Sequence, residues 1–295
     1  MDKKLEVDIL EDIIVFGSGT VAAKCIDYLR EVFKGTIYVF EIKHNNISIL
    51  QKYINNLHNV KYSYVDNNIE DKINKINCKV IFSISNIYIF KKEILKNHII
   101  INYHNALLPK HKGRFAEAWA IYSQDKVTGI TWHVVSKDVD CGDIIYQSKI
   151  LLDNKFTALT LLMLQSKLAI SSFKSIVNDI LKNKMIKINE QKNIEKFGAI
   201  HYSWEKPNEG YLDLNWDEDK ISAFLRAMDY GVLKMLGEPY LRLDSMVFSW
   251  RNYLIENFRP ELKKNQVVYD EFSNCILINK ENMCIKLLDV QRKDR

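Results

Sequence analysis

"DIIVFGSGTVAAKCIDYLREVFK", residues 12–34, decides the fold. Four apolar residues, Ile13 to Phe16, run straight into Gly17-Ser18-Gly19. A short unbroken apolar run bounded by glycine reads as a strand buried on both faces. Beyond the turn, Val21, Cys25, Tyr28, Leu29 and Val32 recur at helical spacing, which reads as an amphipathic helix. Strand, glycine turn and helix in that order open a strand–helix–strand unit of a parallel sheet.

Working outward, the same alternation repeats. "TIYVFEI" (36–42), "VKYSYVD" (60–66), "CKVIFSIS" (78–85) and "HIIINYHN" (98–105) read as strands, with helical "ISILQKYINNLH" (47–58) and "KKEILKN" (91–97) between them. The expected fold class is therefore α/β, a doubly wound and mostly parallel sheet. A helix, "RFAEAWAIYSQ" (114–124), follows, then two strands, "GITWHVVS" (129–136) and "IIYQSKILL" (144–152), bracketing an acidic turn. The run from Thr157 to Lys182 has Leu161, Leu164, Leu168, Ile176 and Ile180 at helical spacing and predicts one long helix with these residues in the core. The pattern breaks at "KFGAIHYSWEKPNEG" (196–210). A boundary there gives two domains, 1–197 and 198–295. The second has one helix, "KISAFLRAMDYG" (220–231), and then short strands such as "PYLRL", "SMVFSW", "QVVYDEF", "NCILINK" and "MCIKLLDV". Closely spaced short strands predict a smaller, mostly-β, barrel-like unit.

Composition narrows the class. The 295 residues are 47% hydrophobic and 27% charged, with only ten glycines and four prolines, a globular balance without a low-complexity tail. The net charge of +5 permits an anionic substrate without demanding nucleic acid. The pairs Lys91-Lys92 and Lys263-Lys264 read as solvated faces. Five cysteines, with no CxxC spacing, fit reduced thiols in a cytoplasm better than a disulfide framework or a zinc knuckle. The start, "MDKKLEVDILED", lacks the apolar core of a signal peptide. No apolar run approaches the ~20 residues that span a bilayer.

Three constellations carry chemistry. Gly17-Ser18-Gly19-Thr20-Val21-Ala22, with Glu41 ending the second strand, matches a dinucleotide-binding fingerprint; the alternative is a tight turn that binds nothing. Asn102 and His104 lie two apart in a strand, so an amide and an imidazole project from the same side. They sit at the carboxyl end of the strand, where open α/β sheets bind ligands; the alternative is a pair that caps a loop. Asp138-Val139-Asp140-Cys141-Gly142-Asp143 places three carboxylates in one turn, too short and too poor in acids for a calcium loop; the alternative is an ordinary hairpin. No metal is expected.

Taken together, "INYHNALLPKHKGR" (101–114), "AWAI" (118–121) and "TGITWHVVSKDVDCGDII" (128–145) resemble the N10-formyltetrahydrofolate-dependent formyltransferases. Methionyl-tRNA formyltransferases share the layout, and the likeness extends more weakly to "GYLDLNWDEDKISAFLRAM" (210–228). The resemblance implies a Rossmann-like catalytic domain whose glycine turn does not bind NAD. It implies that Asn102, His104 and Asp140 are catalytic. The Asn102 amide would donate to the formyl oxygen as charge develops there. His104 would manage protons between the attacking amine and the folate nitrogen. A nearby Asp140 carboxylate is expected to favour the protonated imidazole and to orient it. For N10-formyltetrahydrofolate as co-substrate, the resemblance implies contacts from Asn86, Ile87 and Tyr88 after the fourth strand, from Arg114, and from Ser136, Lys137, Asp138 and Val139 in the loop ending at Asp140.

The expected acceptor is an amine or hydroxylamine nitrogen of a small molecule in specialised metabolism. A tRNA acceptor is disfavoured because "EIKHNNISILQKYINN" (41–56), where tRNA-directed relatives insert a basic segment, has two lysines and no arginine. The Leu107-Leu108-Pro109-Lys110 segment departs from the usual pattern of dTDP-sugar N-formyltransferases. Trp119, Trp132, His133 and Tyr103 are candidates to line an acceptor pocket. Hydrolysis of formyl-folate and NAD-linked oxidation stand as alternative activities.

Overall fold

A computed structural model describes residues 4–5, 12–43, 48–54, 57–182, 184–191 and 200–293. The first residues of the boundary expected at 196–210 lie outside these. The chain divides into two units, residues 1–114, 128–150 and 163–201 forming one, and 115–127, 151–162 and 202–295 the other.

The first unit is built on a seven-stranded sheet. Its elements in chain order are β1 (Lys4–Leu5), β2 (Asp12–Gly17), α1 (Gly19–Val32), β3 (Thr36–Glu41), α2 (Ile49–Ile54), β4 (Val60–Tyr64), α3 (Ile69–Asn74), β5 (Cys78–Ile84), α4 (Lys92–Asn97) and β6 (Ile99–His104). After α5 (Ala116–Tyr122) come β7 (Val127–Val134), β8 (Ile144–Leu151), the long α6 (Ala158–Leu181) and β9 (Ile186–Lys187). The strand order is β4-β3-β2-β5-β6-β7-β8. Pairing is parallel from β4 through β6 and turns antiparallel at β6/β7.

The apolar run that opened the sequence reading shows why this sheet forms. Ile13 and Val15 point to one face, among α1, α2 and α6 residues such as Ile26, Leu50, Phe173 and Val177. Ile14 and Phe16 point to the other, among Ile69, Ile73 and Ile94 of α3 and α4. Successive strand residues face opposite sides, so a strand covered on both faces needs every position apolar. All four are fully buried, each stabilising the fold by roughly 1.5–3 kcal/mol. Gly17 ends the strand because nothing larger fits: a Cβ there would lie 2.7 Å from Ala22 Cβ and 2.9 Å from the Ile84 carbonyl. Helix α1 packs that closely on the sheet.

The second unit contains α5 and the C-terminal elements β10 (Tyr211–Leu212), α7 (Glu218–Met228), β11 (Tyr240–Leu243), β12 (Met246–Ser249), β13 (Asn252–Asn257), β14 (Val267–Asp270), β15 (Cys275–Asn279), β16 (Met283–Leu288) and β17 (Gln291–Lys293). It is mostly β, as two four-stranded sheets ordered β10-β11-β12-β17 and β13-β16-β15-β14. Helix α7 starts where the Asp217 carboxylate accepts from the Lys220 amide, a side-chain N-cap. Inside the unit, the Tyr230 hydroxyl donates to buried Glu117 of α5 at 2.5 Å. Among the described residues no helix is long and apolar enough to cross a membrane.

Candidate active site

The site grows from the carboxyl end of β6. Asn102 and His104 alternate with Tyr103 and so leave the strand on one side. The sheet register gives Asn102 two neighbours, Ser83 on β5 and His133 on β7. His133 Nδ1 lies 3.0 Å from the Val134 carbonyl and donates to it. That leaves Nε2 to accept from the Asn102 amide, 3.0 Å away. Among the described residues nothing takes the second hydrogen of that amide.

His104 is 5% exposed. Its Nε2 lies 2.8 Å from the His111 carbonyl, so Nε2 carries a hydrogen and donates. The other nitrogen, Nδ1, faces Asp140 Oδ2 at 3.5 Å. The same Oδ2 accepts from the Gly113 amide at 2.8 Å, while Oδ1 stands 3.4 Å from His133 Nε2. Gly113 adopts φ +88°, and a Cβ on it would lie 2.2 Å from the His201 carbonyl. Only glycine brings that amide to the carboxylate. Asp140 itself sits at φ +53°, in the left-handed region that costs a non-glycine residue energy. Two bonds of 2.8 Å from the Gln191 amide, to the Asp140 and Gly142 carbonyls, hold it there.

Electrostatics follow from burial. Burial alone pushes the Asp140 carboxyl up, but the pull that His104 first and then His133 exert when their rings carry a proton, together with the Gly113 amide, holds it well below the usual carboxylate range. Asp140 is ionised at neutral pH. His104 moves the other way from the expectation. Burial pulls its imidazole below the ordinary value, and Asp140 and the His111 carbonyl offset only part of that. The carboxylate thus sits beside a neutral imidazole at neutral pH, because desolvating a cation outweighs one Coulombic contact at 3.5 Å.

The other candidate residues are distributed as follows. Asn86 makes a tight turn after β5, its Oδ1 accepting from the Tyr88 amide and its Nδ2 donating to Ser83 Oγ; Ser83 pairs with Asn102 in the sheet, which puts this turn next to the β6 tip. Ile87 is exposed. The half-buried Tyr88 ring packs against the core, stacked on Phe16 at 5.0 Å and set edge-on to Phe90. Lys137, Asp138 and Val139 are exposed and Ser136 half-buried, on the loop that ends at Asp140. Arg114 is exposed, and its amide donates to the His201 carbonyl at 2.8 Å.

Two suggested pocket residues are core instead. Trp132 is fully buried, with its indole N–H donating to Ser172 Oγ and its ring against Tyr103 and Phe173. Sequence reading assigned no role to Gly113, whose amide holds Asp140, to the His111 carbonyl, which holds His104, or to Gln191, whose side-chain amide reaches Asp140 from a distant stretch of chain. His133 was noticed only as an aromatic. Its pairing with Asn102 depends on the β6/β7 register.

The glycine turn after β2 differs. Glu41, at the end of β3, is 3% exposed. It accepts from Ser48 Oγ at 2.5 Å and from the Tyr62 hydroxyl at 2.7 Å. The carboxylate that a dinucleotide ribose would need is already engaged. Among the described residues no group of three His, Cys, Asp or Glu side chains is placed to hold a metal ion.

A sequence model of the formyl transferase family matches residues 13–169, the part that carries the sheet, Asn102, His104 and Asp140. The chain belongs to the formyl transferase family. Among curated relatives, the bifunctional polymyxin resistance protein ArnA of Wigglesworthia glossinidia brevipalpis is 26% identical over 268 residues, covering 86% of this chain and 39% of that protein. The GDP-perosamine N-formyltransferase of Brucella melitensis is 29% identical over 147 residues, 48% of this chain and 54% of that protein. Methionyl-tRNA formyltransferases match as well, that of Thermodesulfovibrio yellowstonii at 29% identity over 55% of this chain and 51% of that one. The chain thus spans about half the length of the curated relatives it matches. The fold is also that of the N-formyltransferase of Helicobacter canadensis solved with folinic acid and dTDP-3-aminofucose, with a TM-score of 0.69, 17% identity, 96% of this chain and 100% of that one covered.

Proposed function

We propose that this protein moves a formyl group from N10-formyltetrahydrofolate to an amine nitrogen of a small-molecule acceptor. The observation that carries the reading is the convergence of the Asn102 amide, the His104 imidazole and the Asp140 carboxylate at the tip of β6. The donor set fits a folate. The turn at 86–88 and the loop at 136–139 lie beside that tip, and exposed Ile87, Lys137, Asp138 and Val139 on them support a folate contact there.

The co-substrate supplies an activated formyl carbonyl. The chain's own residues do the rest. The spare hydrogen of the Asn102 amide donates to the carbonyl oxygen as the acceptor nitrogen attacks and charge collects there. Neutral His104 takes the proton released by that nitrogen at Nδ1. The resulting imidazolium is satisfied on both sides, Nε2–H on the His111 carbonyl and Nδ1–H on Asp140. The same proton is returned to the folate nitrogen as its bond to the formyl carbon breaks. Atoms balance: a formylated amine and tetrahydrofolate leave.

The family relationship supports the reaction type, and GDP-perosamine N-formyltransferase among the relatives supports an amine on a small molecule. Methionyl-tRNA formyltransferases among the relatives keep tRNA as the competing acceptor. Against it, residues 42–59 between β3 and β4 carry only Lys43 and Lys52 as lysines and no arginine. The deciding experiment supplies N10-formyltetrahydrofolate with a panel of amines, amino-sugar nucleotides and hydroxylamines included, and with methionyl-tRNA. Mass spectrometry should show a formylated small molecule, formed only when the amine is present. Formate released at full rate without any amine makes the protein a hydrolase; formyl-methionyl-tRNA as the sole product overturns the small-molecule reading.

A further inference from the structure

Lys112 is the anomaly next to this site. It is 6% exposed, yet no carboxylate among the described residues pairs with it. Among the described residues the one polar partner of its ammonium is a thiol, Cys141 Sγ at 3.9 Å, and that thiol already points to the Val139 carbonyl. An ammonium taken out of water with one weak sulfur contact is costly unless an anion joins it. The chain around it is held firmly. The His111 carbonyl accepts from His104, the Lys112 carbonyl accepts from the His201 amide, and the Gly113 amide donates to Asp140. A lysine locked between those residues cannot swing its backbone away to reach solvent.

We infer that Lys112 forms a subsite for an anionic group, carboxylate or phosphate, carried by the amine acceptor. The assignment to the acceptor rests on the formyl-transfer reading: residues 111–113 wrap the His104–Asp140 pair that handles the acceptor's proton, whereas the folate contacts proposed above come from 86–88 and 136–139. The subsite selects acceptors whose amine and negative charge belong to one molecule and rejects neutral or purely cationic amines.

Calorimetric titration of the full chain tests this with two probes, inorganic phosphate and 5-formyltetrahydrofolate, on wild type, Lys112→Met and Lys112→Arg. Phosphate should bind wild type and Lys112→Arg and bind Lys112→Met roughly 10- to 100-fold more weakly, the loss expected for a charge-assisted contact. 5-Formyltetrahydrofolate should bind all three alike. Lys112→Met should melt no lower than wild type without anion, since an unpaired buried charge has been removed; Lys112→Gln replaces it if it does not express. Phosphate that fails to bind wild type, or binds Lys112→Met equally well, removes the subsite. Folate binding that falls in parallel with phosphate binding places the anion on the folate and overturns the acceptor assignment. Failure of 5-formyltetrahydrofolate to bind wild type sinks the formyl-transfer reading by itself, and leaves the phosphate result standing as a separate fact.

Discussion

The ends of β3 and β6 present the same kind of chemistry with opposite outcomes. Each places a buried polar side chain at the carboxyl end of a parallel strand, and each matches a motif. At β3, the Glu41 carboxylate is satisfied by Ser48 and Tyr62, and Gly17 serves the packing of α1 on the sheet. At β6, the Asn102 amide keeps a hydrogen free, and His104 keeps a basic nitrogen facing a carboxylate. Spacing finds both ends. What decides between them is whether the polar groups have already spent their hydrogen bonds on the protein.

The largest expected effect breaks the comparison at β6. Asn102→Ala should lower formyl transfer by about 10²–10³-fold while leaving the melting temperature nearly unchanged. A variant that keeps its rate would mean the amide only caps the strand. At β2 and β3 the signs reverse. Gly17→Ala forces a methyl against Ala22 and Ile84 and should cost about 1–3 kcal/mol in denaturant unfolding, with normal turnover per folded molecule. Glu41→Ala leaves two hydroxyls without their acceptor and should cost about 1–3 kcal/mol. NAD should not raise the melting temperature of wild type. A clear NAD-dependent rise would return the glycine turn to a binding role.

The smallest effect concerns pH. The His104 imidazole titrates lower in the folded chain than its unfolded value of about 6.5. Below that pH the unfolded state therefore holds more protons, and stability falls as the solution is acidified. His104→Asn should flatten this dependence between about pH 5 and 7 in urea melts compared at each pH. A wild type that gains stability over that acid range relative to the variant would show that Asp140 wins over burial after all.

Much of the fold was legible because buried strands leave no choice of residue. Ile13–Phe16 had to be apolar at every position, and α6 announced itself by twenty-odd residues of helical spacing, observed over Ala158–Leu181. The two C-terminal sheets were foreshadowed by short strands, but β13 was passed over because Asn252–Asn257 is mostly exposed and alternates weakly. Helix α3 was missed because Ile69 and Ile73 are its only buried positions. In the site, Asn102 and His104 were visible through the two-residue period of a strand. His133 was hidden by register, Gly113 and the His111 carbonyl by being backbone, and the neutral state of His104 by burial, which no local pattern encodes.

The central claim is that Asp140 acts through His104. A double-mutant cycle measures it most directly, with formyl-transfer rates for wild type, His104→Ala, Asp140→Asn and the double variant, each shown to be folded. The account predicts that His104→Ala costs about 10²–10⁴ in rate and that adding Asp140→Asn to it costs almost nothing more. Losses that simply multiply would contradict it, because the two side chains would then be working independently.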